Sequence, residues 1–301
     1  MKSLFLYFSF SLLLVVGGCD LYPQDDYKEY YVVESYLVAD MELPALYLST
    51  TAPVSSEYNF DDTAISAAIV EVRLLQAGIG SPVEQTFTYQ LDSPGVFVST
   101  VAHNVLPTRT YQLHITIPST GEEIIGHTVV PDSFTAANTV PNSVEYQSEN
   151  QIEVVIPASN SDARQNYFIF TTLALEPAVD NFTPVYADFY DPEDGDDLSD
   201  FSTLSSGIVS EGNFEKNNNG TVTLKYPWLA VAFYGETKIV TNIIDENIYD
   251  FLRSQSVQLG GSSISPGEIP NVIYNIDGGI GVFGSIAADT IQINITRPAG
   301  F

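Results

Sequence analysis

Tyr111-Gln112-Leu113-His114-Ile115-Thr116-Ile117 alternates without a break between large apolar and polar side chains. Successive side chains of a strand point to opposite faces of a sheet. This run therefore sets Tyr111, Leu113, Ile115 and Ile117 against a core and leaves Gln112, His114 and Thr116 outside. The same period returns at Ile291, Ile293 and Ile295, opposed by Gln292, Asn294 and Thr296, and at Val83, Gln85, Phe87, Tyr89 and Leu91. Further strands are predicted at 31–38, 45–51, 67–75, 96–101, 124–130, 151–156, 166–176, 221–225 and 229–234. Turn-forming residues punctuate them at Gly78 to Pro82, at Ser93-Pro94-Gly95 and at Ser119-Thr120-Gly121. Many short strands with little helix predict an all-β protein built on sandwiches.

One helix is predicted over 245–259. Asp245 and Glu246 suit its start, Ile248, Phe251, Leu252 and Leu259 share a face, and Gly260-Gly261 stop it. A polar, turn-rich segment from Pro131 to Asn142 separates two regions. The expected organisation is an immunoglobulin- or transthyretin-like sandwich over 30–131, then a second, mainly β domain with the helix over 143–301.

The chain has 301 residues, of which 38 are Asp or Glu and 10 are Lys or Arg, for a formal charge of −28. A field of that sign repels phosphate backbones, so nucleic acid is excluded as a partner. With 45% apolar residues the chain can bury a core, which excludes a disordered acidic tail. A single cysteine excludes internal disulfides and any zinc site made of several thiolates.

That cysteine has a telling position. Lys2 precedes an apolar run from Leu4 to Val16, and Gly17-Gly18-Cys19 follows. A cationic start and an apolar run of about 13 residues describe a secretory signal over 1–18, too short to span a bilayer. The small residues before Cys19 resemble a bacterial lipobox, whose thiol carries a diacylglycerol thioether and becomes the new N-terminus. Residues 19–29 then form a tether. Within it, Asp25, Asp26 and Glu29 are open to two readings, a surface-export signal or a solvated linker.

Other constellations bear on chemistry. Gly279-Ile280-Gly281-Val282-Phe283-Gly284 matches G-x-G-x-x-G in letters. The next regular element is predicted as a strand rather than the helix a dinucleotide site requires, so the glycines are expected to serve close packing. Asp188, Asp191, Glu193, Asp194, Asp196, Asp197 and Asp200 crowd one loop. The EF-hand register fails there, because Tyr190 and Pro192 fall at liganding positions, and a solvated loop is the default over a calcium site. Tyr186, Phe189, Tyr190 and Phe201 flank that loop, with Tyr226-Pro227-Trp228 beyond. They suit a sugar or cation site, or more simply core and rim. His103, His114 and His127 match no hydrolase motif, although a triad assembled from distant loops needs none. Thr63 and Thr290 follow aspartates, as in a short O-glycan acceptor pattern. No catalytic residue, cofactor or metal ligand is expected; the site residue is Cys19.

Five segments then stand in a telling order. They are Tyr31-Val32-Val33-Glu34-Ser35-Tyr36-Leu37, Leu46-Tyr47-Leu48-Ser49-Thr50-Thr51-Ala52-Pro53, Tyr111 to Ile115, Thr128-Val129-Val130-Pro131, and Asn275-Ile276-Asp277-Gly278-Gly279 on to Gly284. With Cys19 ahead of them, they resemble the Bacteroidota lipoprotein family known as domain of unknown function 4249. The resemblance implies an outer-membrane lipoprotein, often encoded beside a TonB-dependent receptor, whose first domain is similar to an immunoglobulin or transthyretin sandwich. It supplies no catalytic residues. The expected function is a non-enzymatic accessory or substrate-capturing lipoprotein. The alternatives are a structural or adhesive envelope protein and a hydrolase with a dispersed site.

Overall fold

The computed structural model describes residues 27–53, 56–136, 142–149, 152–159, 165–260 and 271–298. Cys19 and the signal segment lie outside the described residues. The strands are β1 (Tyr31–Val38), β2 (Leu46–Thr50), β3 (Ile69–Leu75), β4 (Val83–Ser93), β5 (Val96–Ser99), β6 (Thr110–Ile117), β7 (Glu122–Val129) and β8 (Ser143–Glu145). They continue with β9 (Glu153–Pro157), β10 (Tyr167–Ala174), β11 (Thr203–Ser205), β12 (Val209–Ser210), β13 (Thr221–Lys225), β14 (Gly235–Ile244), β15 (Ile276–Asp277) and β16 (Ile280–Thr296). Helices are few: α1 (Phe60–Thr63), α2 (Pro184–Ala187), α3 (Leu198–Ser202) and α4 (Glu246–Gly260). The protein is an all-β fold of sandwich type.

In the first region β4 does the work of two strands. Its first half pairs with β3, and from Tyr89 onward it pairs with β5. That change of partner carries the chain from one layer, β3–β6–β7, to the other, β5–β2–β1. The alternation in β6 is realised as expected: Tyr111, Leu113, Ile115 and Ile117 are buried. In β4 only Phe87 and Tyr89 are buried, and Val83 and Leu91 overhang into solvent.

The far edge is closed by an unusual device. β15 pairs with β7, a turn at Gly278 reverses the chain, and β16 then runs parallel to β1 from Val32↔Ile280 to Val38↔Ile286. Between β7 and β16 the Asn275 side chain stands in for a strand. Its Nδ2 donates to the carbonyls of His127 (3.0 Å) and Phe283 (2.6 Å), and its Oδ1 accepts from the Phe283 N–H (3.0 Å).

β16 is longer than the strand expected from the alternation of Ile291 to Thr296. From Ile286 to Ile295 it pairs with β14, and β14 pairs with β10, so one strand belongs to both regions. β14 itself was not among the expected strands. Its inward positions are Thr237, Ile239, Thr241 and Ile243, and the two threonines blur the apolar period. Thr241 is accommodated by the buried Tyr226 hydroxyl at 2.8 Å. The apolar run 229–234, expected as a strand, is mostly a 3₁₀ turn and irregular chain, because Val231 to Tyr234 are all buried with no alternation to direct them. The main hydrophobic core among the described residues runs from Val33, Phe87 and Tyr111 through to Phe168, Tyr226 and Ile239.

Candidate functional site

The two regions meet where β7, β14, β16 and the start of α4 converge. At that point Asp245 caps the helix: its Oδ1 accepts from the Ile248 N–H at 2.9 Å, a bond that satisfies an otherwise orphaned helix donor. Its backbone N–H donates to the Ser285 carbonyl at 3.0 Å. Its other oxygen, Oδ2, accepts from Thr128 Oγ1 at 2.6 Å and from Asn247 Nδ2 at 3.0 Å, and Ser285 Oγ lies 3.4 Å away. Thr128 and Ser285 hydroxyls touch at 2.5 Å. Asn247 Nδ2 also reaches the His127 carbonyl at 2.8 Å. Thus three segments distant in sequence, at Thr128, Asp245 to Ile248 and Ser285, meet at one buried carboxylate, only 8% exposed. Burial pushes the Asp245 carboxyl above its ordinary value, while the Thr128, Ile248, Ser285 and Asn247 hydrogen bonds pull it back down.

A cleft of about 510 Å³ opens beside this cluster. His127 to Phe134 form one wall, and Pro157 to Ser159 with Gln165 to Tyr167 form the other; Ile243 to Asn247 complete it. Its described lining is rich in hydrogen-bonding groups and contains three carboxylates, Asp132, Asp245 and Glu246. The second wall is clamped from behind by Glu211, which is 2% exposed. Glu211 accepts from the backbone N–H of Ser159 (3.0 Å) and of Asn166 (2.8 Å), and Lys216 Nζ lies 3.3 Å from it. Burial alone would raise this carboxyl, but the Asn166 and Ser159 hydrogen bonds, with Lys216, hold it below the usual range.

The residues weighed in the sequence disperse. His103 stacks on Phe87 with ring centroids 4.0 Å apart and bonds the Tyr111 hydroxyl at 2.9 Å. Tyr111 also accepts from the Leu106 N–H, so its proton is free for an unprotonated His103 nitrogen, in keeping with a pKa lowered by burial. His114 faces Glu123 at 3.5 Å, and His127 Nε2 meets Gln112 Nε2 at 2.9 Å. Among the described residues these contacts bring no histidine to a serine or threonine hydroxyl.

In the acidic loop, carboxylates are turned on the chain's own backbone. Asp191 accepts from the Glu193 N–H (2.9 Å), Asp196 from Asp191 (3.0 Å), and Asp197 with Asp200 forms the capping box of α3. Among the described residues, no three His, Cys, Asp or Glu converge as a metal site would require. Phe182, Tyr190, Phe201 and Phe233 form a small satellite core beneath the loop, with Phe182 and Phe233 stacked at 4.4 Å. Phe189 is left 69% exposed.

The glycine motif is architectural. Gly278 and Gly281 have φ of 80° and 108°. A Cβ on Gly281 would lie 2.1 Å from the Val33 carbonyl oxygen across the parallel β1–β16 pairing, and one on Gly284 would lie 2.4 Å from Ile248. Those glycines let β16 press against β1 and α4. Sequence reading missed the cleft and Glu211. Asp245 was visible only as a helix start, because its partners come from 40 to 117 residues away.

No curated protein matches the chain. Solved structures with some similarity to the chain include an alpha-2-macroglobulin of Escherichia coli activated by porcine elastase, with 12% identity, 90% of this chain and 23% of that chain covered, and a TM-score of 0.23. A tetra-tandem repeat from the extending region of a large adhesion protein shares 10% identity over 89% of this chain and 50% of that one, with a TM-score of 0.23. A Salmonella alpha-2-macroglobulin reacted with methylamine shares 8% over 90% of this chain and 15% of that one, at 0.25. The chain thus spans half or less of the length of these three. One family model, described as domain of unknown function (DUF4249), matches residues 20–292. The match runs through every strand from β1 into β16, the glycine motif and the seam, and the chain belongs to that family.

Proposed function

We propose that this chain is a lipid-anchored outer-membrane protein, held through Cys19, that captures a ligand as the non-enzymatic accessory of a TonB-dependent transporter. The observation that carries the capture reading is the seam cleft of about 510 Å³, a volume suited to a small ligand. Its hydrogen-bonding lining is fixed before any ligand arrives, by Asp245 on one side and Glu211 on the other. Pre-organised groups of this kind reduce the ordering cost of binding. The described residues contain no helix long and apolar enough to cross a membrane, so in this reading the lipid on Cys19 is the anchor.

Two measurements test it. Cys19→Ala is expected to move the protein from the membrane fraction to the soluble fraction and to remove the added lipid mass. A variant that stays in the membrane at wild-type mass overturns the anchor. Purification of the wild type in mild detergent is expected to bring a β-barrel receptor with it. Recovery of the protein alone favours the structural or adhesive reading, and turnover in a hydrolase substrate panel favours the enzymatic one.

A further inference from the structure

We propose that a second cleft, between α4 and the strands β10 and β12, binds a small amphipathic organic anion, with its charged head on Arg253 and its apolar body against Ile169, Ile208 and Leu252. This cleft measures about 640 Å³ and shares Gln165 and Tyr167 with the seam cleft. It is independent of the seam reading.

Charge distribution makes the cleft unusual. The chain holds 38 acidic residues, yet none of the described residues lining this cleft is Asp or Glu. Four of the other cations are committed to carboxylates: Arg73 to Glu71, Arg109 to Glu84, Lys216 to Glu211 and Lys225 to Glu153. Arg253, like Lys28 and Arg297, is held over an aromatic ring instead. Its Nη1 donates to the Tyr249 hydroxyl at 2.7 Å, and its guanidinium lies 5.7 Å from the centre of the Tyr249 ring. Tyr249 in turn stacks on Tyr167, with centroids 3.8 Å apart and planes 16° from parallel. A guanidinium oriented by an aromatic column keeps donors for a carboxylate or sulfonate, and its weak hydration lowers the cost of that exchange.

The rest of the cleft suits the other end of such a ligand. Ile169, Ile208, Leu252 and the two tyrosines pack on the small core of α4 yet keep part of their surface open. The rim is fixed by Gln165, whose Oε1 accepts from Ser210 Oγ (2.8 Å) and the Gly212 N–H (3.2 Å). Apolar contact supplies the affinity, and the single exposed cation supplies the preference for an anion.

Titration calorimetry of the full chain with decanoate and with 1-decanol tests the assignment. Decanoate is expected to bind about 5-fold more tightly than the alcohol, the gain that one exposed ion pair provides. Arg253→Gln should abolish that preference and leave the alcohol's affinity unchanged, Arg253→Lys should restore part of it, and Ile208→Ser should weaken both ligands. Arg253 is exposed, so its variants are expected to melt with the wild type. Equal affinity for acid and alcohol, no binding of decanoate at millimolar concentration, or decanoate binding that Arg253→Gln leaves intact would each overturn the proposal. None of these outcomes depends on Cys19, a receptor or the seam cleft.

Discussion

At the scale of single residues, two buried carboxylates respond to pH in opposite senses. Asp245 has its folded-state pKa raised, so folding favours its protonated form. Its stabilising contribution is present below the unfolded value near 3.8 and is lost as pH rises through the folded value. Asn at this position keeps an acceptor for the Ile248 N–H and carries no charge. Asp245→Asn is therefore expected to stay within about 1 kcal/mol of the wild type at pH 7 and to flatten the pH dependence above pH 4, whereas Asp245→Ala strands the Ile248 N–H and leaves the Thr128 hydroxyl only Ser285, at a cost of about 1–3 kcal/mol. Melting curves between pH 4 and 7 check both; an alanine variant as stable as wild type would refute the network. Glu211 has a lowered pKa, so its contribution is present above the unfolded value near 4.5 and lost as pH falls. Gly281→Val meets both a φ of 108° and a carbonyl 2.1 Å from the new Cβ. It is expected to lose at least about 1–3 kcal/mol, seen as a lower melting temperature or loss of soluble protein. These residues were unequally legible. The glycine motif announced itself by spacing, but Glu211 did not, since its partners are backbone N–H groups 45 and 52 residues away.

At the scale of elements, legibility tracked the regularity of burial. β1 was readable to the residue as a run rich in β-branched and aromatic side chains, and β6 nearly so because apolar and polar positions alternate along it. α4 was readable from its cap and its apolar stripe. β14, central to the second region, was obscured because Thr237 and Thr241 occupy inward positions where a hydrophobic residue is the usual sign. The closure between β7 and β16 was also invisible, since a side chain supplies the strand-like hydrogen bonds there. Asn275→Ala removes three of those bonds at once and leaves the Phe283 N–H without its acceptor. Its expected cost is about 1–3 kcal/mol, and hydrogen exchange should rise first at Phe283 and along the adjoining edge of β7. Unchanged protection at Phe283 would show that the side chain is not closing the sheet.

At the scale of the whole molecule, the sheet and the core run through both regions. Apart from the small β9–β13 pair, the described strands form one 14-stranded sheet, and one hydrophobic cluster spans both sides of the seam. Scanning calorimetry is therefore expected to show one cooperative transition, with equal calorimetric and van't Hoff enthalpies. Two resolved transitions would mean that β16 does not couple the regions. The clefts were beyond sequence reading for a related reason: each is built from segments that only this shared strand and its neighbours bring together.

The placement of β16 also fixes an order of events during synthesis. A ribosome releases β1 early, yet β1's parallel partner is made about 250 residues later. Until residues 280–286 emerge, one flank of β1 has nothing to pair with, and the sandwich that begins the chain stays unfinished. The first region is thus completed among the last to be made. A nascent chain cut short before Ile280 would lack the strand that finishes both regions, and would carry two incomplete sheets with open edges.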